Sequence, residues 1–135
     1  MERIATKKAP MAFGPFCQAT VANGMVFTSG AMPLNPADGS LVPGGVGDQT
    51  RQTLENLKNV VEAAGSSMGR ILQITVYLTD MEKFGEMNDA YGAFFDGEYP
   101  ARVDPGGLIA RETCYGGDAG GGAGRVIRAR DGHRL

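Results

Sequence analysis

Ile71-Leu72-Gln73-Ile74-Thr75-Val76-Tyr77-Leu78-Thr79 alternates apolar and polar residues over nine positions. Successive side chains of a strand point to opposite faces. Leu72, Ile74, Val76 and Leu78 are therefore expected on one face, and Gln73, Thr75, Tyr77 and Thr79 on the other. What flanks this strand decides the fold class. Before it, Leu54, Leu57, Val61 and Ala64 recur at helical spacing, in a segment that Asp48 is expected to cap and Gly65 to stop. After it, Asp80 is expected to cap a second helix whose apolar face is Phe84, Met87, Tyr91, Phe94 and Phe95. Two amphipathic helices beside a half-buried strand need a common surface to bury against. The expected class is α+β, a mixed β-sheet with two helices packed on one face.

Further upstream, Val21-Ala22-Asn23-Gly24-Met25-Val26-Phe27 sets Asn-Gly between two apolar runs. Both central residues of such a turn need positive φ, which makes the pair a strong hairpin signal. Residues 33–47 are rich in Pro, Gly, Asn and Asp and read as an exposed loop. Thr75 and Tyr77 leave a mixed second sheet face that either meets solvent or packs against another subunit.

A chain of 135 residues is one domain with room for a real core. A net charge of −2 gives no reason to expect a nucleic-acid partner, because phosphate binding wants clustered positive charge. No apolar run approaches the roughly 20 residues that span a bilayer, and no signal-peptide core is read at the N-terminus, so no membrane partner is expected. Cys17 and Cys114 suit a reducing cytoplasm better than a disulfide scaffold. The single histidine, His133, argues against Ser-His-Asp chemistry and His-rich metal sites.

Arg102, after Tyr99-Pro100 at an expected strand start, is the best candidate cation. Its guanidinium can grip a carboxylate through two parallel hydrogen bonds, or it can be an ordinary surface or ion-paired arginine. Asn88 falls on the apolar side of its helix by its spacing to Phe84 and Tyr91. A buried amide there is either a structural tie or a ligand contact. Ser29 and Gly30 close the returning hairpin strand and either line a pocket or make a turn. Gly14-Pro15-Phe16 is a rigid loop or a pocket wall, and Cys17 reads as a small buried apolar residue. The glycine run at 120–124 lacks the lysine, strand and helix of a phosphate-binding loop.

Together these segments resemble the RidA (YjgF) family of reactive imine deaminases. The matching stretches are Ala9-Pro10, Gly14-Pro15-Phe16-Cys17-Gln18, Phe27-Thr28-Ser29-Gly30, residues 49–56, Ala63-Ala64-Gly65, Thr75-Val76-Tyr77-Leu78, Met87-Asn88, Tyr91 and Pro100-Ala101-Arg102. Each is short; their order and spacing over about 100 residues make the combination specific. The resemblance implies a chorismate-mutase-like fold assembled as a homotrimer, with sites in the clefts between subunits. It also implies hydrolysis of 2-imino acids to 2-keto acids and ammonia, without metal or cofactor. Arg102 would hold the substrate carboxylate, while Phe16, Ser29, Gly30 and Asn88 would line the pocket.

This chain departs from the family where tyrosine is usual at Phe16 and cysteine at Asp104. At position 117, where the family carries a glutamate proposed to position the attacking water, it has glycine. A non-catalytic trimer that binds small carboxylates or partner proteins is the alternative reading. Ribonuclease activity, reported for some relatives, finds no basic patch, histidine pair or aromatic platform here.

The pattern breaks just beyond Arg102. Nine glycines fall within residues 103–135, and lysine disappears. The segment is expected to be an atypical Gly/Arg-rich tail that does not form the family's last strands, because it offers little apolar periodicity to bury. Reading frame offers one account. Tyr115, Gly116, Gly117 and Asp118 are encoded by TAY-GGN-GGN-GAY, and the same bases read one nucleotide later can encode Met-Val-Glu-Met, with glutamate in the third place. The hypothesis is that residues from about 103 onward are a frameshifted translation; a natural low-complexity tail is the other reading. Sequencing the coding DNA decides between them: codons incompatible with the shifted reading remove the hypothesis.

Overall fold

The computed structural model describes residues 1–104 and the backbone of residues 127–132. Cys114, Gly117, the 120–124 glycines and His133 lie outside the described residues. Along the chain run β1 (Glu2–Ile4), β2 (Ala19–Ala22), β3 (Met25–Thr28), α1 (Val46–Ala63), β4 (Ile71–Val76), α2 (Phe84–Phe94), β5 (Ala101–Val103) and β6 (Ile127–Gly132). Single 3-10 turns at Met68–Arg70 and Met81–Lys83 introduce β4 and α2. The six strands form one mixed sheet in the order β1-β2-β3-β6-β4-β5, with only β4 and β5 parallel.

The hairpin forms where Asn-Gly predicts it. Ala22 pairs with Met25, and Asn23 and Gly24 take φ of 51° and 70°. Helix α1 starts two residues before its expected cap. Asp48 instead lies in the first turn, where its Oδ2 accepts the Gly45 N–H at 3.2 Å and its Oδ1 accepts Arg51 at 2.6 Å. The Arg51 hydrogen bond, and then that of Gly45, hold the Asp48 carboxyl below the usual carboxylate range. Gly65, with φ of 86°, turns the chain out of the helix as expected.

Strand β4 keeps its alternation except at one residue. The register slips between Ile71, opposite Asp131, and Gln73, opposite Arg130. The irregularity turns Leu72 outward, to 56% exposure, while Ile71 and Ile74 are both buried. A bulge inserts one residue into one strand and shifts the parity of everything before it, so strict alternation mispredicts Leu72. Asp80 caps the 3-10 turn rather than α2 itself, accepting the Glu82 N–H at 3.0 Å, and α2 continues from it.

Both helices pack on one sheet face. Leu54, Leu57 and Val61 of α1 share a core with Ile71, Ile74, Val76 and Leu78 and with Met87, Tyr91 and Phe95 from the second helix. Val60 faces a second cluster with Ile4, Ala9, Ala19 and Val26. Polar ties fix the helix ends and the long loop. The Gly47 N–H donates to Glu86 Oε1 at 3.0 Å, joining the starts of α1 and α2. The buried Asn56 amide donates to the Met32 and Leu34 carbonyls at 2.9 and 2.8 Å.

Two elements have no sequence signal strong enough to predict them. Glu2-Arg3-Ile4 is too short and charged to show a period, as edge strands often are. In the Gly/Arg-rich tail, apolar periodicity predicts no strand, yet the backbone of Ile127–Gly132 pairs with β3 on one side and β4 on the other. Ladder bonds use only backbone N–H and C=O, so two open strand edges can template a segment of almost any composition without proline.

Replacing Asn56 with alanine would remove the side-chain partner of the Leu34 carbonyl, while the Met32 carbonyl keeps the Leu34 N–H at 2.8 Å. The expected loss is about 1–3 kcal/mol, read as a lower urea midpoint with unchanged slope. An unchanged midpoint would show that the Leu34 carbonyl finds another partner.

Candidate functional site

The parallel register of β5 against β4 pairs Ile74 with Arg102. Arg102 therefore projects on the face that Ile74 buries beneath the helices, while Ala101 and Val103 point to the other. Its side chain is only 20% exposed. The guanidinium carbon lies 4.6 Å from the Tyr91 ring centroid and 5.7 Å from that of Phe84, both contributed by α2. Such stacking on ring faces attracts the cation and fixes its plane. Nη2 donates to Asn88 Oδ1 at 2.8 Å, and Nε donates to Asp104 Oδ2 at 3.1 Å. Both Nη1 hydrogens and one on Nη2 have no partner among these contacts, enough to receive a planar anion.

Asn88 is thus brought to Arg102, but not as a buried amide. It is exposed on α2, whose buried residues are Met87, Ala90 and Tyr91. Helical spacing to Phe84 misplaced it because Phe84 is itself only partly buried, so that flank of the helix opens beside Arg102. Tyr91 is buried, and its hydroxyl has no hydrogen-bond partner among the described residues. Burial pushes its pKa up to about 12; Arg102 lowers it and Asp104 raises it by smaller amounts. The phenol stays neutral throughout the physiological range.

Phe16, Ser29 and Gly30 lie elsewhere. Ser29 Oγ donates to the Cys17 carbonyl at 2.6 Å, and its N–H donates to the Gln18 carbonyl at 2.9 Å, which ties the end of β3 to the loop before β2. That loop is held from below by buried Gln18, whose amide donates to the Thr6 and Pro10 carbonyls at 3.0 and 2.8 Å. Phe16 is 46% exposed and meets Phe13 edge to face, with centroids 5.7 Å apart. Cys17 is a partly buried free thiol.

Phe27 faces Arg130, and Arg130 faces Gln73, so Ser29 stands nearly level with Arg102 in the sheet. Three strand spacings separate them, about 14 Å. Within one chain the expected site residues form two groups: Arg102 with Asn88, and Phe16 with Ser29 and Gly30. A groove lined by Val42, Asp48, Arg51, Gln52, Glu55 and Phe94 contains none of them. No group of three His, Cys, Asp or Glu side chains among the described residues is placed to hold a metal ion.

Comparison with known proteins bears on the same segments. The endoribonuclease L-PSP family model matches residues 6–105. A RutC family protein of Pyrococcus horikoshii is 45% identical over 102 residues, covering 76% of this chain and 81% of that protein. The 2-iminobutanoate/2-iminopropanoate deaminase of Mus musculus is 42% identical over 100 residues, covering 74% of each. The crystal structure of Escherichia coli TdcF with bound serine superposes with a TM-score of 0.84 at 36% identity, covering all of both chains. The chain belongs to the RidA/YjgF family.

The family model's match ends at residue 105, within a few residues of the change in composition after Arg102. Asp104, named from the sequence only as a departure from the family's cysteine, is the partner of Arg102 that the sequence reading did not identify. Its signal was there, since residues two apart on a strand share a face and Asp104 follows Arg102 by two.

Tyr91 offers a test of this packing. Tyr91→Phe keeps the ring under the guanidinium and deletes a buried hydroxyl that has no partner among the described residues, so stability is expected to hold or rise. Tyr91→Ala should cost about 3–5 kcal/mol, as for other buried rings. A Phe variant clearly less stable in chemical unfolding would show that the hydroxyl is bonded.

Proposed function

We propose that the protein hydrolyses reactive 2-imino acids to 2-keto acids and ammonia, with Arg102 holding the substrate carboxylate. The observation that carries this reading is the Arg102 guanidinium, stacked on Tyr91, oriented by Asn88 and keeping N–H groups without a partner among the described residues. The deaminases among its relatives and the serine bound by TdcF support a ligand of the same class, a carboxylate beside a nitrogen-bearing carbon.

In the reaction, water adds to the imine carbon and a proton passes to nitrogen, giving a tetrahedral carbinolamine. The C–N bond then breaks, ammonia leaves, and the hydroxyl proton is lost as the ketone forms. Arg102 fixes the carboxylate and so the position of the neighbouring imine carbon. Positioning of this kind turns an encounter into a nearly unimolecular step. Neither metal nor cofactor is required by this chemistry.

The working form is a homotrimer in the cytoplasm. Cysteine usage supports the compartment. The sheet face away from the helices supports the assembly, because Phe27 and Val103 are 39% and 47% exposed there. A second copy that covers that face and reaches round the edge strand β5 would bring its own Phe16, Ser29 and Gly30 toward Arg102 and Asn88. Two observations favour the non-catalytic alternative: Phe16 supplies no hydroxyl, and Asp104 already occupies one N–H of Arg102.

Arg102→Ala is expected to lower imine hydrolysis by about 10²-fold or more, assayed with an amino-acid oxidase that generates the imine. Undiminished turnover would remove Arg102 from the site. Binding of 2-ketobutyrate by the unaltered protein without any turnover would favour the non-catalytic reading.

A further inference from the structure

We infer that Asp104 sets the specificity of the Arg102 site, favouring ligands that carry a positively charged nitrogen next to the carboxylate over ligands whose only charge is the carboxylate. The inference rests on Arg102 being the carboxylate clamp. Arg102 and Asp104 project from the same face of β5 and its end, with side chains 20% and 24% exposed. At that depth the ion pair is screened less than a surface pair. The clamp therefore presents no net charge to an incoming ligand.

A 2-keto acid must desolvate its carboxylate and approach Asp104 without a compensating cation. A 2-amino acid or a protonated 2-imino acid brings its own. Its N–H groups would lie beside the carboxylate held by Arg102, within reach of Asp104. That carboxylate has acceptor capacity to spare. It can take up to about four hydrogen bonds, and its Oδ1 has none among the described residues. Oδ1 is buried in the free protein, so the ligand is reached by a turn of the Asp104 side chain that keeps one oxygen on Arg102 and brings the other out beside it. Asp104 stands at the start of the Gly/Arg-rich tail, and it is the carboxylate of this polypeptide, whatever frame its gene carries, that meets Arg102.

The test compares dissociation constants of 2-ketobutyrate and L-2-aminobutyrate, by ligand-detected NMR, for the full chain and for Asp104→Asn, Asp104→Cys and Arg102→Ala. The unaltered protein should bind L-2-aminobutyrate more tightly than 2-ketobutyrate. Asp104→Asn should shift the ratio at least fivefold toward the keto acid, and Asp104→Cys, which removes the charge with a different shape, should shift it the same way. A purely structural aspartate would change both affinities together. A ratio unchanged in both variants, with cooperative melting retained, overturns the inference and leaves the clamp standing if Arg102→Ala still abolishes binding. If Arg102→Ala binds both ligands normally, or the unaltered protein binds neither, the clamp falls and the inference with it.

Discussion

Burial of one stripe of helix α1 against both halves of the sheet is the constraint on which the remaining geometry depends. Leu54, Leu57 and Val61 press on β4 and on α2, while Val60, on the same helix, closes the cluster over β1, β2 and β3. Fully burying each such side chain is worth about 1.5–3 kcal/mol, so the stripe is comparable with the net stability of a small domain. The two strand groups do not pair directly with each other; β6 lies between them. The helix therefore holds the β2–β3 edge and the β4–β5 edge in one frame, and β6 completes the ladder between them. Glu86 and Asn56 then pin α2 and the long loop to that frame.

Arg102 follows from this arrangement. The Ile74–Arg102 register turns the guanidinium toward the helices, where α2 supplies two ring faces and the Asn88 carbonyl. A long, flexible side chain is thereby held in one orientation, so a ligand at the proposed clamp would lose less entropy on binding. The same strand parity brings Asp104 to the guanidinium. Whether that charge tunes the site or blocks it is a question of ligand charge, which is why ligands matched in size but differing in nitrogen are informative.

Much of the fold was legible because the elements carry local, periodic signals. Asn23-Gly24 marked the hairpin, the Leu54-Leu57-Val61 spacing marked α1, and Met87-Tyr91-Phe95 marked the buried side of the second helix. Local periodicity failed where pairing between strands decides. The bulge at Leu72 depends on the partner strand, and β6 depends on two open edges more than on its own composition. The arrangement of the candidate site was half legible. Arg102 and Asn88 could be named, but their hydrogen bond and the aspartate beside them require knowing that β5 lies under α2. The separation of Ser29 from Arg102 was invisible, because motif matching carries no information about which residues meet within one chain and which meet between copies.

The account stands or falls on where a carboxylate ligand goes. A crystal structure of the full chain grown with 2-ketobutyrate tests this most directly. The account predicts the ligand's carboxylate within about 3 Å of the Arg102 guanidinium, with Phe16 and Ser29 of a neighbouring copy closing the cleft above it. A ligand bound away from Arg102, or an Arg102 cleft with no second copy beside it in a monomeric protein, would contradict it.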